Sequence, residues 1–475
     1  MIWSFFLFLA GFLAIGLLSI RQKQKTADDY LLAGRNVSPA LVGLSGAAST
    51  ASGFGFTGII GFGYAHGLSG AWFIFGILFG SLFAFSMISR RLRTLSHRTK
   101  SISYSEFLTA GMGKSRPYFL VLLGVISLAA LIIYAAAQLT AGAKAMHVLL
   151  DWEYSWGILV GAVIVVLYCF AGGIRASIWT DAAQIVVMYG AMTVLAIVSL
   201  MAMGGFGGLY DSLAAIDPKL VQVLPVDNPY GPVMFILGWL SLGVSFIGFP
   251  HTMARFMALK NPKDTKRAIL WFEGSYALFY CTAYVVALCT RVLLPDVDGF
   301  DAELALPELA EDMLPEILVG VIFAGIFAAT ISTADSLILS GTASLSRDIF
   351  KSRAESYGFL KGCTLGLTAL ASVLAIYASK SVFDLVLLSI TLMGSGFTPL
   401  LVLRCFRVKV HPAIVLLMIA GGLGAGLGWR FMGQNAFVYE ALIGITTGFV
   451  IYFIGFVVQK AVSFKPSHPV TFKRD

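Results

Sequence analysis

Five oxygen-bearing side chains fall within seven residues at Thr330, Ser332, Thr333, Asp335 and Ser336. Ser332, Asp335 and Ser336 would share one face of a helix at i, i+3, i+4 spacing. Hard cations take hydroxyls, carboxylates and main-chain carbonyls as ligands, so the segment is a candidate ion site. Each residue also has a plainer explanation. Ser and Thr back-bond to the preceding helical turn, and an Asp near a span end caps it or reaches the surface. Two other segments could supply carbonyls. Between Leu44 and Gly58, Ser, Thr or Gly stands at nearly every other position, and Gly238, Ser241, Gly243, Ser245 and Gly248 lead into Pro250. Such runs make weak continuous helices. Unwound backbone survives at membrane depth only where it is buried or lines a cavity. Close packing of small residues without unwinding is the alternative.

The elements that carry these segments follow from composition. Of 475 residues, 58% are apolar and 12% charged, against roughly 25% charged in an average soluble protein. Charge-free stretches run 1–20, 36–89, 117–143, 154–174, 182–210, 228–254, 274–290, 317–334, 362–379, 385–403, 410–429 and 441–459. A membrane-crossing helix needs roughly 20 apolar residues. Eleven stretches fit one helix each, Gly67, Ser69 and Gly70 cut 36–89 into two, and the stretches at 274 and 317 need flanking residues. The expectation is an all-α polytopic membrane protein with thirteen transmembrane helices. The alternating ten-residue segments of a barrel are missing.

The two interrupted spans are the second and the seventh. Broken spans at matching positions of two halves point to inverted repeats around a transport site. Spans two to six and seven to eleven would form the repeats, with one extra helix before and two after. Residues 1–475 then make one transmembrane domain: 1–35 the extra helix and a cytosolic loop, 36–404 the core, 405–475 two helices and a short cytosolic tail.

With Met1 outside, 28 of the 33 lysines and arginines fall in inside loops, Arg255 among them. Lys144, Lys219, Arg291, Lys380 and Arg430 fall outside, along with the acids from Asp296 to Asp312. This is the positive-inside bias, so the net charge of +8 is a topology signal and not a nucleic-acid footprint. Met1 to Ile20 lacks a basic start and reads as a retained helix, not a signal peptide. Cys169, Cys281, Cys289, Cys363 and Cys405 show no C-x-x-C spacing, and the six histidines form no H-E-x-x-H motif. No P-loop, G-x-S-x-G or dinucleotide fingerprint occurs. Neither an enzyme nor an ATP-driven pump is expected. A channel is disfavoured, since no ring of charged residues is apparent.

Four patches resemble the sodium/solute symporter family, nearest its sodium/proline branch. They are Asp29 to Arg35, Trp179 to Gln184 after Ala171 to Gly173, Gly248 to Ala258, and Ala328 to Ser336 followed by Arg347 to Lys351. The resemblance covers nearly the whole chain and implies a LeuT-type core of two inverted five-helix repeats. It implies a sodium site formed by the carbonyls of Ala48, Ala51 and Ala329 and the hydroxyls of Ser332 and Thr333. Some relatives bind a second sodium, and here Asp181, Ser332, Asp335 and Ser336 would hold it, with Asp335 replacing a hydroxyl. Thr50 stands where the proline branch has an Asp.

The implied substrate pocket comprises Thr50, Ser52, Gly53 and Phe54 on one broken helix and Leu242, Phe246 and Pro250 on the other. Tyr134 and Gln138 come from the fourth span. Phe246 and Leu242 stand where the proline branch has a Tyr and a Trp, so this part of the pocket has fewer polar donors. The expected activity is sodium-coupled import of a small carboxylate-bearing solute, a neutral amino acid such as proline before a monocarboxylate. The carboxylate would meet the N–H groups of a half-helix N-terminus. The rival class is a transporter-like sensor working with a separate signalling partner. It is disfavoured because only Lys460 to Asp475 follow the last span. Expected partners are the solute, sodium and the lipid bilayer of the plasma (inner) membrane. The sequence carries no signal of oligomeric state.

Overall fold

The computed structural model describes residues 2–19, 26–225, 227–294, 300–353, 355–377 and 381–463, and the regular structure among them is helical. The main helices, in chain order, are α1 (Ile2–Ser19), α2 (Pro39–Ala51), α3 (Gly58–His66), α4 (Ala71–Arg98), α5 (Arg116–Leu150), α6 (Tyr154–Gly172), α7 (Ile174–Ala202), α8 (Gly231–Ser245), α9 (Pro250–Ala258), α10 (Thr265–Leu293), α11 (Glu316–Ala343), α12 (Tyr357–Tyr377), α13 (Val382–Cys405), α14 (Pro412–Phe431) and α15 (Ala441–Ser463). Short helices include Tyr104–Thr109, Gly205–Ile216 and Ala305–Met313. Among the described residues, ten helical stretches are long and apolar enough to cross a membrane, and Ile2–Gly16 and Tyr154–Phe170 are shorter apolar helices.

Both suspect runs interrupt their helices. After α2 the chain passes through Ser52 at φ 52°, ψ 172° and a 3-10 turn, Gly53–Gly55, before α3 begins. A positive φ at a residue with a Cβ is held only by its surroundings. Those surroundings are specific. A Cβ on Gly53 would lie 2.5 Å from Thr330 Cγ2 and 2.9 Å from Ala141 Cβ, so only glycine fits beside Ser52. After α8 the turn Phe246–Gly248 and extended Phe249 lead to Pro250 at the first position of α9. Pro is suited there, because the N–H it lacks is one the helix would leave unpaired.

Around these breaks the helices form one bundle. α10 packs on α2 and α3, α8 on α4, and α11 on α7, α5 and α2. The α4–α8 crossing is tight: a Cβ on Gly76 would sit 2.3 Å from the Trp239 carbonyl carbon. Small residues allow such approach where lipid offers no hydrophobic drive. α14 and α15 pack on each other and on α13, and α1 lies against α11 and α7. α11 is buried along most of its length, so Asp335 sits in the bundle interior and caps nothing.

The charges are less peripheral than the loop count implies. Arg255 belongs to α9 and Lys144 to α5, and both are at least 98% buried. Arg21, Lys23, Lys25, Lys380, Lys465, Lys473, Arg474, Asp296 and Asp298 lie outside the described residues.

Candidate functional site: the two helix breaks and the face of α11

The α2 break is tied to α5 and α10 by side chains. The Gly53 N–H donates to Gln138 Oε1 at 2.8 Å, and Tyr134 Oη donates to Ser52 Oγ at 3.3 Å. Ser52 Oγ also accepts from the Phe54 N–H at 3.2 Å. Tyr280 of α10 donates to the Ala51 carbonyl at 3.1 Å. The N–H groups of Gly53 and Phe54 are thus already paired.

The ion-site residues come from both helices. Ser332 Oγ reaches the Ala48 carbonyl at 3.4 Å and the Ala329 carbonyl at 3.2 Å. Thr333 Oγ1, on the next residue of α11, is buried without a protein partner. A buried hydroxyl left unpaired carries a desolvation penalty of about 1–3 kcal/mol. A cation would use its lone pairs. The Ala51 carbonyl has a second lone pair beyond the bond from Tyr280, so the donor set suits a small hard ion.

The expected second-ion residues also assemble, but around a guanidinium. Arg255 Nη2 donates to Asp181 Oδ2 at 2.8 Å and to Ser336 Oγ at 2.5 Å, Nε to Ser45 Oγ at 2.7 Å, and Nη1 to the His251 carbonyl at 2.9 Å. Ser177 Oγ and Ser336 Oγ each donate to Asp335 Oδ1 at 3.0 Å. Asp181 and Asp335 are at least 99% buried. The sequence places Arg255 in an inside loop; the structure instead buries it in α9. Thr50, lacking the carboxylate of the proline branch, bonds back to the Gly46 carbonyl at 2.7 Å and stands 3.5 Å from Thr252 Oγ1.

The other expected pocket residues divide. Phe246 packs against Phe249 and Tyr276, with ring centroids 6.2 and 6.1 Å away, and Leu242 is buried. Pro250 lines a narrow crevice with Tyr104, Ala254 and Ser340. Phe54 is stacked on Phe383 at 5.5 Å, and Phe62 stacks on Phe383 at 5.3 Å. Beyond these rings lies a cavity of about 380 Å³ lined by Gly58, Gly61, Phe62, Lys144 and Glu303 among others. Lys144 Nζ holds Asp301 at 2.6 Å and Glu303 at 2.8 Å, and Glu303 accepts the Val382 and Phe383 N–H groups at 3.0 and 2.9 Å. A carboxylate at a helix N-terminus is favourably placed, here the start of α13.

Sequence reasoning missed Tyr276 and His251. Tyr276 Oη, both ring nitrogens of His251 and Gln138 Nε2 are buried without a protein partner. The Tyr134 ring lies 6.2 Å from His251 and touches Ser52, and Tyr276 lies 4.5 Å from Tyr280, which bonds to Ala51. These unpaired groups therefore gather around the α2 break. Such a cluster is unusual in a native interior and calls for a ligand or water. The nearest sequence signal was the Pro250-His251 pair itself.

Comparison with known proteins follows this geometry. The family model described as the sodium:solute symporter family matches residues 30–419. The chain is 26% identical to the high-affinity proline transporter PutP of Bacillus subtilis (strain 168), over 95% of this chain and 96% of that protein. It is also 26% identical to the sodium/proline symporter of Escherichia coli (strain K12), over 98% and 94%. Among solved structures, a Na+-coupled sialic acid symporter in a substrate-bound outward-open state superposes with a TM-score of 0.79 at 22% identity, covering 95% of this chain and 96% of that one. MhsT in complex with L-phenylalanine superposes with a TM-score of 0.54 at 16% identity, covering 87% and 98%.

Proposed function

The chain belongs to the sodium:solute symporter family, and from that premise we propose how its residues couple sodium to a solute. It is a multi-pass membrane protein whose coupling ion is sodium and whose activity is symport of a small organic solute. Counting α2 with α3 and α8 with α9 as single broken spans gives thirteen crossings, our proposed topology. The inverted repeats would run from α2 to α7 and from α8 to α13, with the N-terminus outside and the C-terminus cytoplasmic in a plasma membrane. The core would span 36–404.

Sodium would be held by the Ala48, Ala51 and Ala329 carbonyls and the Ser332 and Thr333 hydroxyls. The observation that carries this assignment is the unpaired, buried Thr333 hydroxyl beside a Ser332 that already bridges the Ala48 and Ala329 carbonyls. Because Arg255 already engages Asp181 and Ser336, we assign one sodium per cycle.

The solute is a small carboxylate-bearing compound, and our assignment is a neutral amino acid such as proline, which the relatives named above are described as transporting. Its oxygens would accept from Gln138 Nε2 and Tyr276 Oη, and His251 would meet its polar end. The rings of Tyr134, Phe246 and Phe249 suit a compact apolar body. Binding both ion and solute at the breaks joins the two halves of the bundle, which is the structural basis of coupling.

The test is sodium-driven uptake into proteoliposomes in competition with proline, alanine, acetate, pantothenate and glucose. Proline or alanine should compete, and potassium should not replace sodium. Competition by acetate or pantothenate alone would move the assignment to a monocarboxylate. Competition by glucose with every carboxylate inactive would overturn it.

A further inference from the structure

The ends of α4 and α13 farthest from the Lys144–Glu303 cluster enclose a cavity of about 690 Å³. Its polar wall is made by Arg90, Arg91 and Arg407, with Thr94 and Phe406 beside them, and no acidic residue lines it. Arg91 donates Nη1–H to the Met87 carbonyl at 3.0 Å, and its guanidinium lies 4.0 Å over the Phe406 ring. That stacking fixes the planar group while leaving further N–H donors free. Arg90 and Arg407 are exposed, and none of the three arginines makes an ion pair among the described residues. Three guanidinium groups with no carboxylate partner make this space strongly positive and attractive to an anion.

The same side of α4 says which anion. Phe75, Phe79 and Phe83 are exposed at i, i+4 and i+8, and Ser86 and Arg90 continue that stripe toward the cavity. The Phe75 and Phe79 rings lie 4.2 Å apart. An apolar track about 12 Å long thus leads toward an arginine-lined pocket.

We propose that this cavity binds the headgroup of an anionic phospholipid from the leaflet at that end of the helices, with an acyl chain along Phe75, Phe79 and Phe83. The phosphodiester receives paired N–H donors from the arginines, for which their planar geometry is suited. A zwitterionic lipid presents the same phosphate with a compensating ammonium, so the pocket selects against it. A free phosphate would have no use for the phenylalanine stripe.

The experiment is native mass spectrometry of the purified chain equilibrated with equal phosphatidylglycerol and phosphatidylcholine of identical acyl chains. The chain should retain phosphatidylglycerol preferentially. Each arginine near a membrane surface contributes about fivefold to such binding, so R90Q/R91Q/R407Q should weaken retention roughly a hundredfold. The variant Arg267→Gln changes an exposed cation outside the cavity, paired with Asp264, and should retain lipid as the parent does. F75A/F79A/F83A should also lose retention. Should the triple arginine variant not elute as a monodisperse peak, the three single variants, at roughly fivefold each, decide the matter. Equal retention of the two lipids, or an equal loss in Arg267→Gln, overturns the proposal. Displacement of the lipid by inorganic phosphate, with retention intact in the phenylalanine variant, reassigns the cavity to a soluble anion and overturns it as well.

Discussion

Thr333→Val is expected to act with opposite signs in the absence and presence of sodium. Valine keeps the branched shape of threonine and exchanges the hydroxyl for a methyl. Without sodium that hydroxyl is buried and unpaired, so its removal relieves a desolvation penalty of about 1–3 kcal/mol. The variant should unfold at a higher temperature than the parent in choline chloride. With sodium the same change removes one of five proposed oxygens. A bond to a charged partner is worth about 1.5–3 kcal/mol, which corresponds to sodium binding about ten- to a hundredfold weaker. The assay is thermal unfolding in choline and sodium salts, with the sodium half-saturation read from intrinsic fluorescence. Lithium should follow sodium in the parent. A variant that is less stable without sodium and titrates with unchanged half-saturation would refute the reasoning, because the hydroxyl would then have a protein partner.

Gly53→Ala should cost about 1–3 kcal/mol by overpacking and abolish uptake, and Thr330→Ser, which removes the methyl the new Cβ would strike, should restore part of both; melting and uptake of the double variant decide this. Arg255→Met should destabilise by about 3–5 kcal/mol because it leaves buried carboxylates unpaired. Adding Asp181→Asn should recover part of the loss, and a double-mutant cycle in denaturant measures the coupling. Asp312→Cys should react with an impermeant maleimide only from outside and Arg98→Cys only from inside; the reverse pattern would invert the proposed orientation.

The broken helices were legible in the sequence because their cause is local. Ser, Thr and Gly between Leu44 and Gly58 weaken the helix wherever it lies, and Pro250 can only begin one. The face of Ser332, Asp335 and Ser336 was legible for the same reason, since helical periodicity alone sets it. Arg255 was not legible. It lies five residues after Pro250 in a segment that reads as the start of a basic loop, and only the packing of α9 against α2 and α11 brings it to Asp181 and Ser336. Lys144 misled in the same way, being a charge at the end of an apolar run whose partners, Asp301 and Glu303, lie over 150 residues away. Tyr276 and His251 carry no periodic or compositional signal. Their interest comes from the partners they lack, a property of the folded state.

The cluster of Lys144, Asp301 and Glu303 at the start of α13 bears on the rate of the transport cycle. Glu303 bonds at once to an ammonium on α5 and to the first N–H groups of α13. The loop bearing Asp301 and Glu303 and these two helices therefore separate only when several bonds break together. Water replaces those bonds after the parts have moved, so the enthalpy is lost before it is regained. A turnover limited by this separation would have a large activation enthalpy, and uptake would climb steeply with temperature. Loosening the cluster with Glu303→Gln would flatten that slope and leave the cavity beside it open for a larger share of each cycle.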